Sequence, residues 1–320
     1  MKTPSFWQYN GLTSALLTPL SWLYGIGAAL DRSLTTAERA PLPVISIGNV
    51  TAGGAGKTPT ALALAPLLEE IGAVPHYLTR GYGGDSARVA HRVTAADGWQ
   101  QVGDEALLLA SRAPTWVGRD RFASAIVAEK AGATIAICDD ALQHHALAKD
   151  LSLLVIDGPY GIGNGCLLPA GPLREPLAAA LARCHGVVLI GEDAHNLAAH
   201  ITLPVFRAQL VPEGDLSWLM QGTWMAFAGI GRPEKFFDSL RRAGATLAAT
   251  HAFPDHHPYS DTDLATLTTE AKRLGAKLIT TEKDAVKFTT AERAHIATLP
   301  VTLRFEDAPA FAAFLRQKLA

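Results

Sequence analysis

The 320-residue sequence carries 48% hydrophobic and 18% charged residues, a balance that supports a packed core and excludes a disordered chain. Its 28 Lys+Arg against 30 Asp+Glu leave a formal charge of −2, so there is no general attraction to nucleic acid and any site for an acidic ligand has to be local. The length suggests two domains at roughly 100 to 200 residues each, and the cysteines Cys138, Cys166 and Cys184, lacking C-x-x-C spacing, support neither a disulfide framework nor a zinc knuckle, so that a reducing compartment fits best.

From Gly11 to Leu30 the chain has no charged residue, close to the roughly 20 residues of a spanning helix. Pro19, Gly25, Gly27 and four Ser/Thr residues dilute this stretch, while Trp7, Tyr9, Trp22 and Tyr24 are aromatics favoured at a lipid–water interface. A signal peptide fits poorly, with only Lys2 ahead of the stretch and Asp31-Arg32 after it. We read residues 1–40 as a membrane-associated helical segment; whether it spans or lies on the bilayer is open, and a buried core helix is the competing reading.

After residue 40, short apolar runs alternate with helical patterns, the signature of a parallel α/β sheet. Pro43–Ile47, Thr134–Cys138, Leu153–Ile156 and Val187–Ile190 read as strands that each end in a polar or glycine turn. Ligands bind beyond the carboxyl ends of such strands. The predicted organisation is a P-loop-type, mostly parallel sheet domain over 41–207, a linker at 208–222 marked by Pro212 and Gly214, and a smaller α/β domain over 223–320. In that second domain the expected strands are Trp224–Ala228, Thr246–Ala249, Lys277–Thr280 and Val301–Phe305, with helices near 233–243 and 261–274.

The most specific local signal is Gly53-Gly54-Ala55-Gly56-Lys57-Thr58, between the first apolar strand and a helical pattern opening at Pro59. Glycines let backbone N–H groups point at phosphate oxygens, a lysine pairs with the β- and γ-phosphates, and a hydroxyl ligates Mg²⁺. The strict P-loop pattern has glycine where this chain has Thr51. An acidic residue ending a neighbouring strand is also needed, and Asp139-Asp140 and Asp157 are the candidates. The doublet is preferred, because adjacent carboxylates repel unless a cation or donor compensates. A guanine-specific N-K-x-D motif is absent, and Gly229-Ile230-Gly231-Arg232-Pro233-Glu234 lacks the third glycine of a dinucleotide fingerprint.

Ordered motifs along nearly the whole chain carry a family resemblance. They are Ser46 to Pro59, Thr79-Arg80-Gly81-Tyr82-Gly83-Gly84, Val102-Gly103-Asp104-Glu105, Asp139 to His144, Gly163 to Glu175, Gly229 to Pro233, Asp255-His256-His257 and Thr281 to Lys287. Together these segments resemble the tetraacyldisaccharide 4′-kinase family of lipid A biosynthesis, with one departure at Ala141-Leu142, where Gly-Phe is expected. The resemblance implies phosphorylation, dependent on ATP and Mg²⁺, of the 4′-hydroxyl of a tetraacylated disaccharide 1-phosphate at the cytoplasmic face of a bacterial inner membrane. It implies no nucleic-acid or protein partner. A membrane-associated P-loop GTPase or regulatory ATPase is the rival, and a tethered nucleotide-binding module without chemistry is a third reading.

Within that frame Asp104 is the expected acceptor or orienter of the hydroxyl proton, against the alternative of a helix N-cap. Asp139 and Asp140 are expected to serve Mg²⁺ and the hydrogen-bond network, with Thr58 as a metal ligand and Glu105 as a weaker metal candidate. His256 or His257 is expected to pair with one of the aspartates. Thr51, Gly53, Gly54, Ala55, Gly56, Lys57, Thr58 and Arg174 are the expected nucleotide-binding set, Arg174 because guanidinium matches phosphate bidentately. Arg80, Arg119 and Arg121 are further candidates for phosphate.

Overall fold

A computed structural model describes residues 4–84 and 90–319. It contains a nine-stranded sheet and a four-stranded sheet. In the larger sheet the spatial order is Val301–Phe305, Val205–Pro212, Gly186–Ile190, Leu151–Asp157, Val44–Gly48, Ile135–Asp139, Pro75–Thr79, Thr115–Val117 and His91–Arg92. The outer two pair antiparallel and all the others parallel. The chain is therefore mixed α/β with a mostly parallel sheet. Every residue of Val44–Gly48, Ile135–Asp139 and Leu151–Asp157 is buried, as expected where helices cover both faces of a parallel sheet.

Lys57–Glu69, the helix after the glycine-rich loop, buries Leu64 and Leu68 in a core shared with Ile45, Ile47, Ile135 and Ile137. The C-terminal helix Ala308–Leu319 adds Phe311, Phe314 and Leu315 to the same core. The smaller sheet is parallel throughout, in the order Thr246–Ala252, Thr223–Ala228, Lys277–Thr281 and Ile296–Leu299. Pro233–Arg242 and Asp261–Arg273 are its longer helices.

Two features depart from the sequence-based division of the chain. Val205–Pro212 is a strand of the larger sheet and runs through the expected boundary at 207/208. Val301–Phe305 forms as a strand, but it pairs with Val205–Pro212 and not with the smaller sheet, so residues 301–319 rejoin the larger sheet.

The N-terminal apolar stretch is the 23-residue helix Leu12–Leu34. Its packing reverses the usual pattern, since its buried residues are Ser14 and Ser21 whereas Leu12, Leu16, Leu23 and Leu34 are 86%, 79%, 67% and 80% exposed. The serines face protein because they have partners there. Ser14 Oγ donates to Ala170 O at 2.6 Å and Ser21 Oγ to Leu167 O at 2.8 Å, while Trp7 Nε1 donates to Pro169 O at 3.0 Å. Asn164 Nδ2 closes the seam by donating to Ser14 Oγ at 2.9 Å. Among the described residues no helix is long and apolar enough to cross a membrane.

Candidate active site

A cleft of about 1570 Å³ lies where the carboxyl ends of the large-sheet strands meet the smaller sheet. The glycine-rich loop forms one wall. Gly56 adopts φ 92° as the cap of the helix beginning at Lys57, a left-handed conformation that glycine takes without steric cost. Lys57 Nζ is fixed by Asn49 Oδ1 at 3.2 Å and lies 3.7 Å from Asp140 Oδ1. Gly53, Gly54, Ala55, Gly56, Lys57 and Thr58 all line the cleft. Thr51 does not: it is 4% exposed, bridges to Leu173 behind the loop, and its O and Oγ1 accept from Asn49 Nδ2.

The strand Ile135–Asp139 ends in the doublet, and a left-handed turn at Asp140, φ 50°, sends the two carboxylates in different directions. Asp139 Oδ2 accepts from Thr58 Oγ1 at 2.8 Å. Its Oδ1 is buried without a hydrogen-bond partner. Burial first, then the charge of Glu105, pushes the Asp139 carboxyl up to about 7. Asp140 instead accepts from Arg174 Nη1 at 3.0 and 3.1 Å; burial raises its carboxyl, but Lys57 and Arg174 outweigh that and hold it low. Arg174 is set in place by its own backbone, whose N–H donates to Val50 O at 2.7 Å.

Arg121, 1% exposed, braces this turn through bonds from Nη2 to the carbonyls of Asp139 and Asp140. Arg80 and Arg119 line the cleft. Asp157 carries a different load: Arg232 Nη1 and Lys235 Nζ both grip it from the start of the helix Pro233–Arg242, and Arg232 also lies 4.0 Å over the Tyr160 ring. This clamp joins the two sheets, and beside it a Cβ on Gly231 would stand only 2.8 Å from Gly54 N.

The facing part of the cleft brings Asp104 and His256 together across 152 residues of sequence. Asp104 is the first residue of the helix Asp104–Ala110; the cap is Gly103, and Asp104 Oδ1 accepts from the adjacent Glu105 N–H at 2.8 Å. His256, in a left-handed turn at φ 58°, sets Nδ1 3.0 Å from both Asp104 oxygens. Lys283 Nζ lies 3.2 Å from His256 Nε2, 3.0 Å from Glu105 Oε1 and 3.4 Å from Asp255 Oδ1. Because an ammonium only donates, Nε2 accepts from Lys283 and Nδ1–H donates to Asp104.

Burial raises the Asp104 carboxyl, but the hydrogen bond from His256 and the charges of Lys283 and Lys287 outweigh it and hold the group at about 2. His257 turns away to Asp263 Oδ2 at 3.2 Å and stacks on Phe253.

The order of motifs and this geometry agree with what comparison finds. The family model described as "Tetraacyldisaccharide-1-P 4'-kinase" matches residues 13–320. The chain belongs to the tetraacyldisaccharide-1-P 4′-kinase family. It is 49% identical over 317 residues to the tetraacyldisaccharide 4′-kinase of Paramagnetospirillum magneticum, covering 97% of this chain and 96% of that one. It is 51% identical over 328 residues to the Methylobacterium nodulans enzyme of the same name, covering 100% and 96%. Among solved structures, LpxK from Aquifex aeolicus, crystallised in complex with ATP, superposes with TM-score 0.80 at 26% identity over 97% of this chain and 100% of that one.

For this 4′-kinase family member, Arg183 lies outside every motif, and several residues within the motifs have partners that the motifs do not reveal. Gln143 Nε2 ties Asn49 O to Glu175 Oε1 at 2.9 and 3.0 Å, and Arg183 holds Glu175 from its far side. Lys283 and Lys287 were visible only as members of the Thr281 to Lys287 motif, with no signal of what they face.

Proposed function

We propose that the chain transfers the γ-phosphoryl group of ATP to the 4′-hydroxyl of a tetraacyldisaccharide 1-phosphate, a step of lipid A biosynthesis. The observation that carries this reading is one cleft with the glycine-rich loop on one wall and, on the other, the His256 imidazole backed by the buried Asp104 carboxylate. In the proposed reaction, backbone N–H groups of Gly53–Lys57 and the Lys57 ammonium hold the β- and γ-phosphates. Asp104 accepts the hydroxyl proton as its oxygen attacks the γ-phosphorus, the bond from that phosphorus to the β–γ bridging oxygen breaks, and ADP leaves. His256 orients the carboxylate, and Arg174 is the guanidinium on the phosphate side.

The residues fit a Mg²⁺ ion. Asp139 Oδ1 is an orphaned buried acceptor next to the Thr58 hydroxyl, and a cation there relieves the cost of burying that carboxylate. Among the described residues no three His, Cys, Asp or Glu side chains converge on a metal site, which suits an ion that draws its remaining ligands from phosphate oxygens and water. Asp139 and Thr58 are the holders in this reading; Asp140 is neutralised by Arg174 and Lys57, and Glu105 by Lys283. Bound there, magnesium would offset charge on the transferring phosphoryl group.

The helix Leu12–Leu34 is proposed to lie in the interface of the inner membrane, where its outward leucines meet acyl chains. The remaining organisation is proposed as a P-loop unit, which reclaims residues 301–319, and a smaller unit bearing His256, with the reaction between them.

The test is transfer of labelled phosphate from ATP to tetraacyldisaccharide 1-phosphate by the purified protein in mixed micelles. Phosphorylated lipid is expected, and ATP hydrolysis without it would sink the kinase reading in favour of a regulatory ATPase. Replacing Leu16, Leu20 and Leu23 together by Glu should move the protein from vesicles to supernatant on flotation; unchanged partition would remove the helix from the anchoring role.

A further inference from the structure

The segment Thr281–Phe288 carries two lysines four residues apart, and only Lys283 reaches the cleft. The side chain of Lys287 is 1% exposed. A buried ammonium is costly unless paired, and Lys287 Nζ has two carboxylates, Asp284 Oδ1 at 3.1 Å and Asp104 Oδ2 at 3.3 Å. Asp284, wholly buried, is itself immobilised: its Oδ2 accepts from Gly229 N–H at 2.9 Å and from Thr281 Oγ1 at 2.8 Å. The Tyr259 ring lies 5.5 Å below the ammonium. One partner would neutralise Lys287. Its further reach to a carboxylate on the P-loop unit, 183 residues earlier in the chain, has no structural necessity.

We propose that Lys287 is a positioning residue for phosphoryl transfer: anchored by Asp284, it holds the Asp104 carboxylate against His256 in the orientation that meets the acceptor hydroxyl. The proposal rests on the kinase reading and on Asp104 as proton acceptor. His256 fixes the pair from the cleft side, since its ring lies 4.9 Å from Tyr82 at the cleft wall, and Lys287 fixes it from within the protein. Without Lys287 the Asp104 side chain keeps its backbone N–H bond from Glu105 at Oδ1 and its contacts to His256, but loses the charged contact at Oδ2 from within the protein, so the carboxylate is held from the helix and cleft side only. Small misplacements of a reacting group are worth on the order of 10²-fold in rate.

A double-mutant cycle on the full chain tests this, with kcat, KM for ATP and melting temperature measured for Lys287→Met, Asp104→Asn and the double variant. The expected result is a fall in kcat of about 10- to 100-fold for Lys287→Met with KM for ATP within about threefold of wild type. The double variant should be no slower than Asp104→Asn alone, because a residue acting through another has nothing left to position. If Lys287→Met fails to fold, the charge-balanced Lys287→Met/Asp284→Asn background replaces it, since Asn still accepts from Gly229 and Thr281, and the same cycle is read there. Wild-type kcat in the folded variant overturns the proposal, as does a rate loss that multiplies with that of Asp104→Asn. If Asp104→Asn itself turns over normally, the proton-acceptor reading falls and this proposal with it; a slow Asp104→Asn beside a normal Lys287→Met removes Lys287 alone.

Discussion

The two walls of the cleft are built in different ways. The phosphate-side wall comes from one sheet: Lys57, Thr58, Asp139, Asp140 and Arg174 are positioned by strands Val44–Gly48 and Ile135–Asp139 and by the loop that returns Arg174 to Val50. The opposite side is shared: Glu105, His256 and Lys283 line the cleft with Asp104 and Lys287 buried behind them, and of these Asp104 and Glu105 come from the helix Asp104–Ala110 whereas His256, Lys283 and Lys287 follow the strands of the smaller sheet. The difference is one of origin: the phosphate-side residues are held by the larger sheet and its loops, whereas Asp104, the proposed proton acceptor, takes its charged neighbours His256, Lys283 and Lys287 from the other part of the molecule.

The largest expected effect strikes the one-unit wall. Lys57→Ala should lower kcat by roughly 10³-fold or more, because in the proposed reaction its ammonium meets the developing phosphoryl negative charge, and the melting temperature should hold. A folded variant with near-normal turnover at saturating ATP would break the comparison at its first term.

Next comes the shared wall. Asp104→Asn should cost roughly 10²- to 10⁴-fold in kcat while ATP affinity stays close to wild type. A helix-capping role makes the opposite forecast, since Asn caps about as well as Asp, so an unchanged rate would remove Asp104 from the chemistry. A drop in ATP affinity would move it to the nucleotide wall and erase the distinction between the two.

The smallest effect sharpens the contrast through stability. The Asp139 carboxyl is raised to about 7, by burial foremost, so its ionised form is disfavoured in the fold. A raised group leaves stability intact below its ordinary value near 3.8 and withdraws it as pH climbs through the folded value near 7. Asp139→Asn should therefore melt higher than wild type at pH 8 and show little difference near pH 4, while losing turnover. Adding Mg²⁺ with ATP should stabilise wild type and not the variant; equal melting temperatures at pH 8 would show that the buried carboxylate carries no strain.

How much of this was legible follows from range and packing. Central parallel strands read directly as apolar runs because both of their faces are buried. Pro75–Thr79 escaped because His76, Tyr77 and Thr79 interrupt the run, and Val205–Pro212 because its burial is partial and it sits among Pro204, Pro212 and Gly214. Val301–Phe305 was readable as a strand, but its partner lies about ninety residues earlier, and pairing at that range leaves no local trace.

The same contrast holds in the site. Lys57 and Thr58 sit in one contiguous loop and are legible from spacing, whereas the choice between His256 and His257 depends on a left-handed turn that brings His256 alone to Asp104. Asp157 shows the converse, since a strand-terminal aspartate that reads as a metal candidate is occupied by Arg232 and Lys235. Lys287 resembles any surface lysine until the fold places it inside.

The inverted helix Leu12–Leu34 has a kinetic corollary. With serines inward on the loop 163–172 and leucines outward, the proposed interfacial seat of this helix would put enzyme and acylated acceptor in one two-dimensional phase, where encounters follow the mole fraction of acceptor in the surface rather than its concentration in the tube. Diluting the acceptor with inert lipid at constant bulk amount then slows turnover, while adding more vesicles of unchanged composition at saturating enzyme coverage leaves the rate per bound enzyme the same. Under that proposal acceptor supply to the cleft is a property of membrane composition, and ATP is the one reactant that arrives from three dimensions.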